Sequence, residues 1–292
     1  MRIVITGSRG QLARALAERC AASPGHELVH AARPDFDLER PETLAGAIAA
    51  LEPDLVVNAA AYTAVDKAES EPQKAMTVNG EAAGAVAAGA RKAGAPVIQI
   101  STDYVFDGAL DRPWREDDAV APLGAYGRSK LAGEEAVAAA NPHHVVLRTA
   151  WVYSPFGGNF VKTMLRLAET HDELDVVADQ TGNPTSAFVV ADAVLSVAGR
   201  LSVAPADDVF GTYHVAAAGT ASWCDFARAI FEIAGPDLPR VPKVNAITTA
   251  QYPTPARRPA NSRLDTARFE RTFGYHPPQW RVSLEETLAR IL

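Results

Sequence analysis

Tyr126 and Lys130 are the residues whose types and spacing most directly suggest chemistry. They lie four positions apart in the sequence, so a helix would place them on one face. We expect the Lys130 ammonium to favour the phenolate and to lower the pKa of Tyr126 toward a range useful for acid–base chemistry. Thr102 adds a hydroxyl at the predicted end of a strand, where open α/β sheets place their ligands. The three residues predict carbonyl reduction: Tyr126 would protonate the oxygen, Thr102 would stabilise its charge, and Lys130 would bind the cofactor ribose.

A glycine turn lies at the first predicted junction between a strand and a helix. Here the chain reads Gly7-Ser8-Arg9-Gly10-Gln11-Leu12-Ala13. Glycines let the backbone approach a pyrophosphate, whose charge would be met by free N–H groups at the helix N-terminus. The turn therefore predicts dinucleotide binding, and a tight turn without a ligand is the alternative.

The end of the second predicted strand bears on which nicotinamide cofactor would bind. A carboxylate at this place usually holds the ribose 2′-hydroxyl, but Arg33 offers a cation there instead. A cation favours a 2′-phosphate and hence NADPH, with a solvated arginine as the alternative. Asp37 could receive the adenine amino group.

The elements that must position these residues form an alternating pattern. Apolar strands are predicted at 3–6, 27–31, 55–59, 96–101 and 145–149, with helices at 11–22, 41–51, 72–93 and 126–140. Short continuous apolar strands separated by helices are typical of a parallel sheet that is covered on both faces. The predicted fold class is therefore α/β: a doubly wound, Rossmann-like parallel sheet with a smaller C-terminal substrate-binding lobe.

The regular alternation fades after about residue 150, which predicts two domains. Residues 1–153 would form an NADP(H)-binding Rossmann domain, and 154–292 would mainly form the substrate lobe, with 187–211 packing back on the first domain. Residues 235–263 contain six prolines and are predicted to be rich in loops, between helices at 223–234 and 266–273.

Composition excludes several classes of protein. The balance of 28 Lys+Arg against 35 Asp+Glu argues against a nucleic-acid binder and against a polybasic membrane anchor. Cys20 and Cys224 are too few for a disulfide framework or a zinc site. The N-terminal strand leaves no room for a signal peptide, and no apolar run reaches the ~18 residues that a membrane span needs. We expect a cytoplasmic protein that does not bind membranes.

Several motifs together resemble a known family. The glycine turn, Tyr126-xxx-Lys130 and the stretch 101–108 (STDYVFDG) are similar to the extended short-chain dehydrogenase/reductase superfamily. The stretches 58–69 (NAAAYTAVDKAE), 148–153 (RTAWVY), 252–259 (YPTPARRP) and 261–264 (NSRL) look like the dTDP-4-dehydrorhamnose reductase family. The resemblance covers essentially the whole chain and implies reduction of the 4-keto group of dTDP-4-dehydro-β-L-rhamnose with NADPH or NADH, for the biosynthesis of dTDP-L-rhamnose.

The resemblance also implies roles for individual residues. Thr102, Tyr126 and Lys130 correspond to the catalytic trio, while Asp103 and Trp151 correspond to contacts with the nucleotide sugar. The implied cofactor contacts, taken with the glycine turn, are Gly7, Gly10, Gln11, Leu12, Arg33, Asp37, Leu38, Ala61, Tyr62, Thr63, Tyr126 and Lys130.

The substrate half of the site is predicted less directly. Arg257 and Arg258 could meet the pyrophosphate, and Asn159 could hold phosphate or base. The alternatives are that the arginines are solvated or form a bridge to a neighbouring carboxylate, and that Trp151 packs between the lobes. Some members of the family bind Mg²⁺ through acidic side chains at a dimer interface. One such position corresponds to Ala15, so no metal site is predicted here, although a homodimer could form.

Two other functions are consistent with these motifs. A nucleotide-sugar epimerase or dehydratase of the same superfamily would return its hydride to the sugar, with Asp103 as the acid–base carboxylate. A non-catalytic NADP(H)-binding regulatory protein would not need Tyr126 or Lys130, yet both are present. The structural alternative is that Thr102 caps a turn and Tyr126 is a half-buried helix residue.

Overall fold

A computed structural model describes residues 1–23, 25–203 and 207–292 of the chain. The strands are β1 (Arg2–Thr6), β2 (Glu27–Ala31), β3 (Leu55–Asn58), β4 (Val97–Thr102), β5 (His144–Thr149), β6 (Val152–Tyr153), β7 (Glu173–Val177), β8 (Thr181–Gly182), β9 (Thr185–Ser186), β10 (Gly211–His214), β11 (Ala221–Ser222), β12 (Lys243–Ile247) and β13 (Asn261–Ser262). The α-helices are α1 (Gln11–Ala22), α2 (Pro41–Ala50), α3 (Val65–Ala68), α4 (Pro72–Met76), α5 (Ala82–Lys92), α6 (Ala125–Ala140), α7 (Phe160–Ala168), α8 (Ala187–Val203), α9 (Trp223–Ala234), α10 (Ala267–Phe273) and α11 (Trp280–Leu288).

Six parallel strands form the central sheet, in the order β10-β5-β4-β3-β1-β2. Ile3, Val4 and Ile5 of β1 are all fully buried, which explains why this strand shows no polar alternation. Helices α1 and α8 pack on one face through residues such as Leu16 and Val194. Helices α2, α5 and α6 cover the other face. The prediction of a doubly wound α/β sheet is confirmed.

A second apolar cluster lies between α7, α9 and α11, beside the paired strands β7 and β12. Its fully buried members include Phe226, Ile230 and Leu284, and each buried side chain of this kind contributes roughly 1.5–3 kcal/mol. This cluster forms the core of the smaller C-terminal lobe.

Residues 187–211 return to the large sheet where the structure describes them. Helix α8 packs on α1, and β10 adds a strand beside β5; residues 204–206 of this segment lie outside the described residues. Helix α10 also packs here, with Phe269 buried in the core of the first domain. The domain boundary at residue 153 stays a prediction.

Two elements differ from the sequence-based prediction. The helix predicted at 72–93 is interrupted by a π-helical turn at Thr77–Glu81, between α4 and α5. The stretch predicted to be rich in loops contains the five-residue strand β12, whose partner β7 lies about 70 residues earlier in the chain. Because that pairing is long-range, the short sequence of β12 carries little local signal for it.

Candidate active site

A cavity of about 1010 Å³ opens at the carboxyl ends of β1, β3, β4 and β5. Parallel strands end at the same edge of a sheet, so residues distant in sequence meet there. Among the lining residues are these predicted cofactor contacts: Gly7, Gly10, Gln11, Leu12, Arg33, Asp37, Leu38, Ala61, Tyr62, Thr63, Tyr126 and Lys130. Thr102, Asp103, Trp151 and Arg258 line the same cavity.

The glycine turn shapes one end of the cavity. Gly7 has φ +84°, a conformation that side chains disfavour, and its N–H donates to the Ala31 carbonyl at 2.7 Å. A Cβ at Gly7 would lie 3.3 Å from the Ala60 Cβ. Among the described residues, no side chain caps the N-terminus of α1 and its first turn holds no acidic residue. These free N–H groups suit an anion such as a pyrophosphate.

A buried polar network fixes the strand ends beside this turn. The Thr6 hydroxyl donates to Asn58 Oδ1 at 2.8 Å and accepts from the N–H groups of Ala59 and Ala60 at 3.0 and 2.9 Å. Asn58 Nδ2 donates to Gln99 Oε1 at 2.7 Å. The network joins β1, β3 and β4, and so holds the segment after β3 in place along the cavity.

The π-helical turn positions a second segment of the cavity wall through Asn79. Its Oδ1 accepts from the Tyr62 N–H at 2.8 Å, and its Nδ2 donates to the Tyr62 carbonyl at 3.0 Å and to the Ser129 hydroxyl at 2.9 Å. Asn79 thereby connects the predicted cofactor contact Tyr62 to helix α6. Sequence reasoning missed Asn79, although an Asn-Gly pair inside an alanine-rich helix is a signal for irregular backbone.

The end of β2 presents Arg33 and Asp37 to the cavity. Arg33 is exposed, and Asp37 Oδ1 accepts the N–H of Glu39 at 3.1 Å. Glu39 forms an ion pair with Lys74 at 2.9 Å, and both residues also line the cavity. This end of the cavity therefore holds two cations and two carboxylates.

The predicted catalytic trio comes together in the same cavity. Thr102 closes β4, while Tyr126 and Lys130 lie on α6. The Thr102 hydroxyl donates to Asp103 Oδ1 at 2.9 Å, and Thr102 also forms a side-chain hydrogen bond with Tyr126. Lys130 Nζ donates to the Ile100 carbonyl oxygen at 2.7 Å.

The electrostatics of the trio correct one prediction. Burial raises the pKa of Tyr126, the charge of Asp103 adds to the rise, and the hydrogen bond with Thr102 opposes it. Burial lowers the pKa of Lys130 to about 8, against the attraction of Glu134. The expectation that Lys130 lowers the pKa of Tyr126 is wrong in this structure, because desolvation dominates and the ammonium is bound to a carbonyl. Tyr126 is thus held in its protonated form.

Asp103 lies buried next to Thr102. Burial raises its pKa to about 6, and hydrogen bonds with Ser262 and Thr102 oppose the rise. Among the described residues, its Oδ2 has no hydrogen-bond partner. A carboxyl group with an unsatisfied oxygen at a cavity wall is suited to accept a hydrogen bond from a ligand.

Two tryptophans form an aromatic wall of the cavity. Trp151 has φ +51° and lies two residues after the end of β5, and a Cβ on Gly182 would collide with its indole ring. Trp223, the first residue of α9, stacks on Trp151. Sequence analysis identified Trp151 but treated Trp223 only as the start of a helix. The signal that could have identified Trp223 is its place directly after the helix-capping residue Ser222, at the N-terminus of α9. In the structure Trp223 lines the cavity from that helix end.

The remaining predicted substrate residues separate. Arg258 lines the cavity and pairs with Asp66 at 2.8 Å. Arg257 is exposed, and of the residues that the structure describes neither Arg257 nor Asn159 lines the cavity. Asn159 instead caps α7: its Oδ1 accepts the Lys162 N–H at 3.2 Å and its Nδ2 donates to the Ser154 carbonyl at 2.8 Å. The structure therefore brings Arg258 into the cavity and leaves Arg257 outside it, while Asn159 contacts the lining residue Gln11, donating from Nδ2 to Gln11 Oε1 at 3.1 Å.

The described residues offer neither a metal-binding cluster nor a membrane-spanning helix. Within residues 1–23, 25–203 and 207–292, no group of three or more His, Cys, Asp or Glu side chains could hold a metal ion. Ala15, the position that the family resemblance associates with a metal-binding acidic residue, is fully buried in the core. Over the same residues, every helix is too short or too polar to cross a bilayer.

Comparisons with known proteins agree on one family. The family model described as the RmlD substrate binding domain matches residues 1–292. The dTDP-4-dehydrorhamnose reductase of Sinorhizobium fredii is 50% identical over 292 residues, covering 100% of this chain and 98% of the relative. A solved dTDP-4-dehydrorhamnose reductase from Clostridium acetobutylicum is 40% identical with a TM-score of 0.91, covering 99% of each chain. The Bacillus anthracis enzyme, solved in complex with NADP, is 32% identical with a TM-score of 0.90, covering 99% of this chain and 98% of that one.

Proposed function

The chain belongs to the RmlD substrate binding domain family, and from that premise we propose that it reduces the 4-keto group of dTDP-4-dehydro-β-L-rhamnose to give dTDP-L-rhamnose. The observation that carries the proposal is the meeting of Thr102, Tyr126 and Lys130 in the same cavity as the glycine turn. A proton donor and a dinucleotide cradle in one cavity are what carbonyl reduction requires.

The residues of the cavity fit a nicotinamide cofactor. Gly7, Gly10 and the free N–H groups of α1 would hold the pyrophosphate, and Arg33 would meet a 2′-phosphate. The glycine at position 7 supports this assignment, since any side chain there would crowd Ala60 and occupy the space between the glycine turn and the segment after β3. When bound, NADPH or NADH supplies the hydride that reduces the carbonyl carbon.

Tyr126 then acts as the general acid. Its raised pKa keeps the phenol protonated near neutral pH, and the hydrogen bond with Thr102 orients it. The Thr102 hydroxyl stabilises negative charge as it grows on the substrate oxygen. Lys130, whose ammonium donates to the Ile100 carbonyl at 2.7 Å, would hold the cofactor ribose and contribute positive charge to the site.

The substrate would occupy the side of the cavity formed by the C-terminal lobe. Asp103 would accept a hydrogen bond from a hydroxyl of the sugar, and Trp151 would face the sugar ring. Arg258 would bind the pyrophosphate. A nucleotide-sugar dehydratase is the second candidate, favoured only by the buried carboxyl of Asp103 with its pKa of about 6.

The assay follows NADPH absorbance at 340 nm with purified protein and the 4-keto sugar generated in situ, and is then repeated with NADH. We expect stoichiometric oxidation by the wild type. Tyr126→Phe should lower turnover about 10²- to 10⁴-fold and leave NADPH binding intact. The matched control is Tyr252→Phe, which removes the hydroxyl of a tyrosine that is 58% exposed and does not line the cavity. This variant should keep full activity.

The alternatives give different results in the same assay. Conversion of the sugar without net oxidation of NADPH would identify an epimerase or dehydratase. NADPH binding without any conversion, and with no effect of Tyr126→Phe on the protein's function, would identify a regulatory protein. Location in the cytoplasm and assembly as a homodimer stay predictions.

A further inference from the structure

A buried ion pair lies beneath the catalytic trio. Arg148 Nη2 lies 2.7 Å from Glu134 Oε2, and the two side chains are only 6% and 7% exposed. Arg148 Nε donates to Glu134 Oε1 at 3.0 Å, and the Ser101 hydroxyl donates to that oxygen at 2.5 Å. Both oxygens of this carboxylate are therefore fixed by partners from other elements.

These partners come from the three elements that carry the site. Ser101 directly precedes Thr102 on β4, and Arg148 lies on β5 three residues before Trp151. Glu134 lies on α6 one helical turn after Lys130, and so on the same face of that helix. The Glu134 carboxylate thus connects the catalytic helix to both strands that end at the cavity.

Charge gives this connection a second consequence. Helix α6 carries Tyr126 and Glu134 as well as Lys130. Two further titratable residues, Asp103 and Tyr104, follow β4, and Arg148 lies on β5. The charge of Glu134 attracts the Lys130 ammonium and so raises the pKa of Lys130 against the effect of burial. A buried ion pair is weak as a device for stability, since apolar residues of similar volume often stabilise a fold as well. A role in the site is the better explanation for this one.

We propose that Glu134 is a positioning residue for the reaction: its carboxylate, fixed by Arg148 and Ser101, keeps Lys130 charged and anchored on α6. This inference rests on the proposed reductase function, in which Lys130 orients the cofactor. The charged form matters because only an ammonium offers three donors to a ribose and adds positive charge next to the reacting oxygen.

The test measures Lys130 directly in the protein without cofactor. Lysine labelled with ¹³C at the ε-carbon gives a signal for each of the six lysines, and Lys130→Arg assigns the signal of Lys130. The double variant Glu134→Gln/Arg148→Met removes both charges at similar volume. We expect the pKa of Lys130 to fall by about one unit in this variant. The alkaline limb of the kcat profile should move to lower pH by the same amount.

A control separates this effect from a general loss of structure. Asp192→Asn breaks the ion pair between Arg19 and Asp192, 2.7 Å long, which joins α1 to α8 away from the cavity. It should leave both the Lys130 titration and the pH profile unchanged. Glu134→Gln alone serves where the double variant does not fold, and Glu134→Asp, which keeps the charge, should restore most of the Lys130 pKa.

The outcomes are distinguishable. An unchanged Lys130 titration in the charge-removing variants, even with lower kcat, would show that Glu134 only stabilises the fold and would overturn the proposal. A wild type that oxidises no NADPH would overturn the reductase function instead, while the titration of Lys130 would remain readable.

Discussion

The indole rings of Trp151 and Trp223 stack with their centroids 3.6 Å apart and their planes 10° from parallel. Trp151 comes from the loop after β5, whereas Trp223 opens α9 of the C-terminal lobe. The cavity wall therefore depends on contact between parts of the chain about 70 residues apart. Phe160 supports Trp223 from behind, with centroids 4.6 Å apart.

Trp223→Ala should weaken binding of the nucleotide sugar. Loss of the stacking partner removes aromatic contact and frees Trp151 from its position, so KM for the sugar should rise about tenfold. The Kd for NADPH should change less than this KM, because Trp223 opens α9 of the C-terminal lobe whereas the glycine turn belongs to the first domain. Steady-state kinetics and NADPH titration check this, with Trp223→Phe as the milder variant. An equal rise in both constants would mean that the stack supports the whole fold.

Neighbouring arginines provide a matched pair of variants. Arg258→Ala removes a cation that lines the cavity and pairs with Asp66, so KM for the nucleotide sugar should rise about tenfold to a hundredfold. Arg257→Ala removes an exposed cation outside the cavity and should change KM less than about twofold. Competition with dTDP alone shows whether the loss concerns the pyrophosphate. Equal effects of the two variants would contradict the assignment of Arg258.

Gly133 lies where helix α6 crosses the π-helical turn. A Cβ there would collide with the Asn79 carbonyl oxygen, so Gly133→Ala should destabilise the protein by about 1–3 kcal/mol. The Kd for NADPH should also rise, since Asn79 holds Tyr62. Gly46→Ala is the control, because this exposed helical glycine has open space and alanine should stabilise it by about 0.5–1 kcal/mol. Urea unfolding measures both, and a neutral Gly133→Ala would disprove the close approach.

His214 should make stability depend on pH. Burial, together with the charge of Arg148, lowers its pKa to about 3 from an ordinary value of 6.5. Because the unfolded chain binds the proton more tightly, stability is fully present above about pH 6.5 and is lost as pH falls toward 3. The loss from this group is on the order of 5 kcal/mol.

Urea unfolding at several pH values measures this contribution. His214→Gln retains a donor for the Trp114 carbonyl, which lies 3.0 Å from His214 Nδ1, but it cannot titrate. The free energy of unfolding of this variant should fall less steeply than that of the wild type between pH 6.5 and pH 4. Parallel curves would show that His214 has the same pKa in the folded and unfolded protein, which would contradict this prediction.

The sequence alone determined the features that depend on local pattern. Continuous apolar strands and intervening helices indicated the doubly wound sheet, and the boundaries of α1, β2 and α9 were predicted to the residue. The spacing of Tyr126 and Lys130, and their order after Thr102, identified the candidate active site, because parallel strands must end at one edge. These inferences needed no knowledge of which distant residues touch.

Only the tertiary structure decided what depends on burial and long-range pairing. The pairing of β12 with β7, the place of Trp223 in the cavity and the Glu134–Arg148 pair all join segments far apart in the chain or in different elements. The charge state of the active-site residues was likewise decided only by the tertiary structure. A lysine four residues from a tyrosine predicted a lowered pKa, but desolvation in the folded core raises that of Tyr126 instead. Dielectric surroundings are a property of the packed structure, and no local motif encodes them.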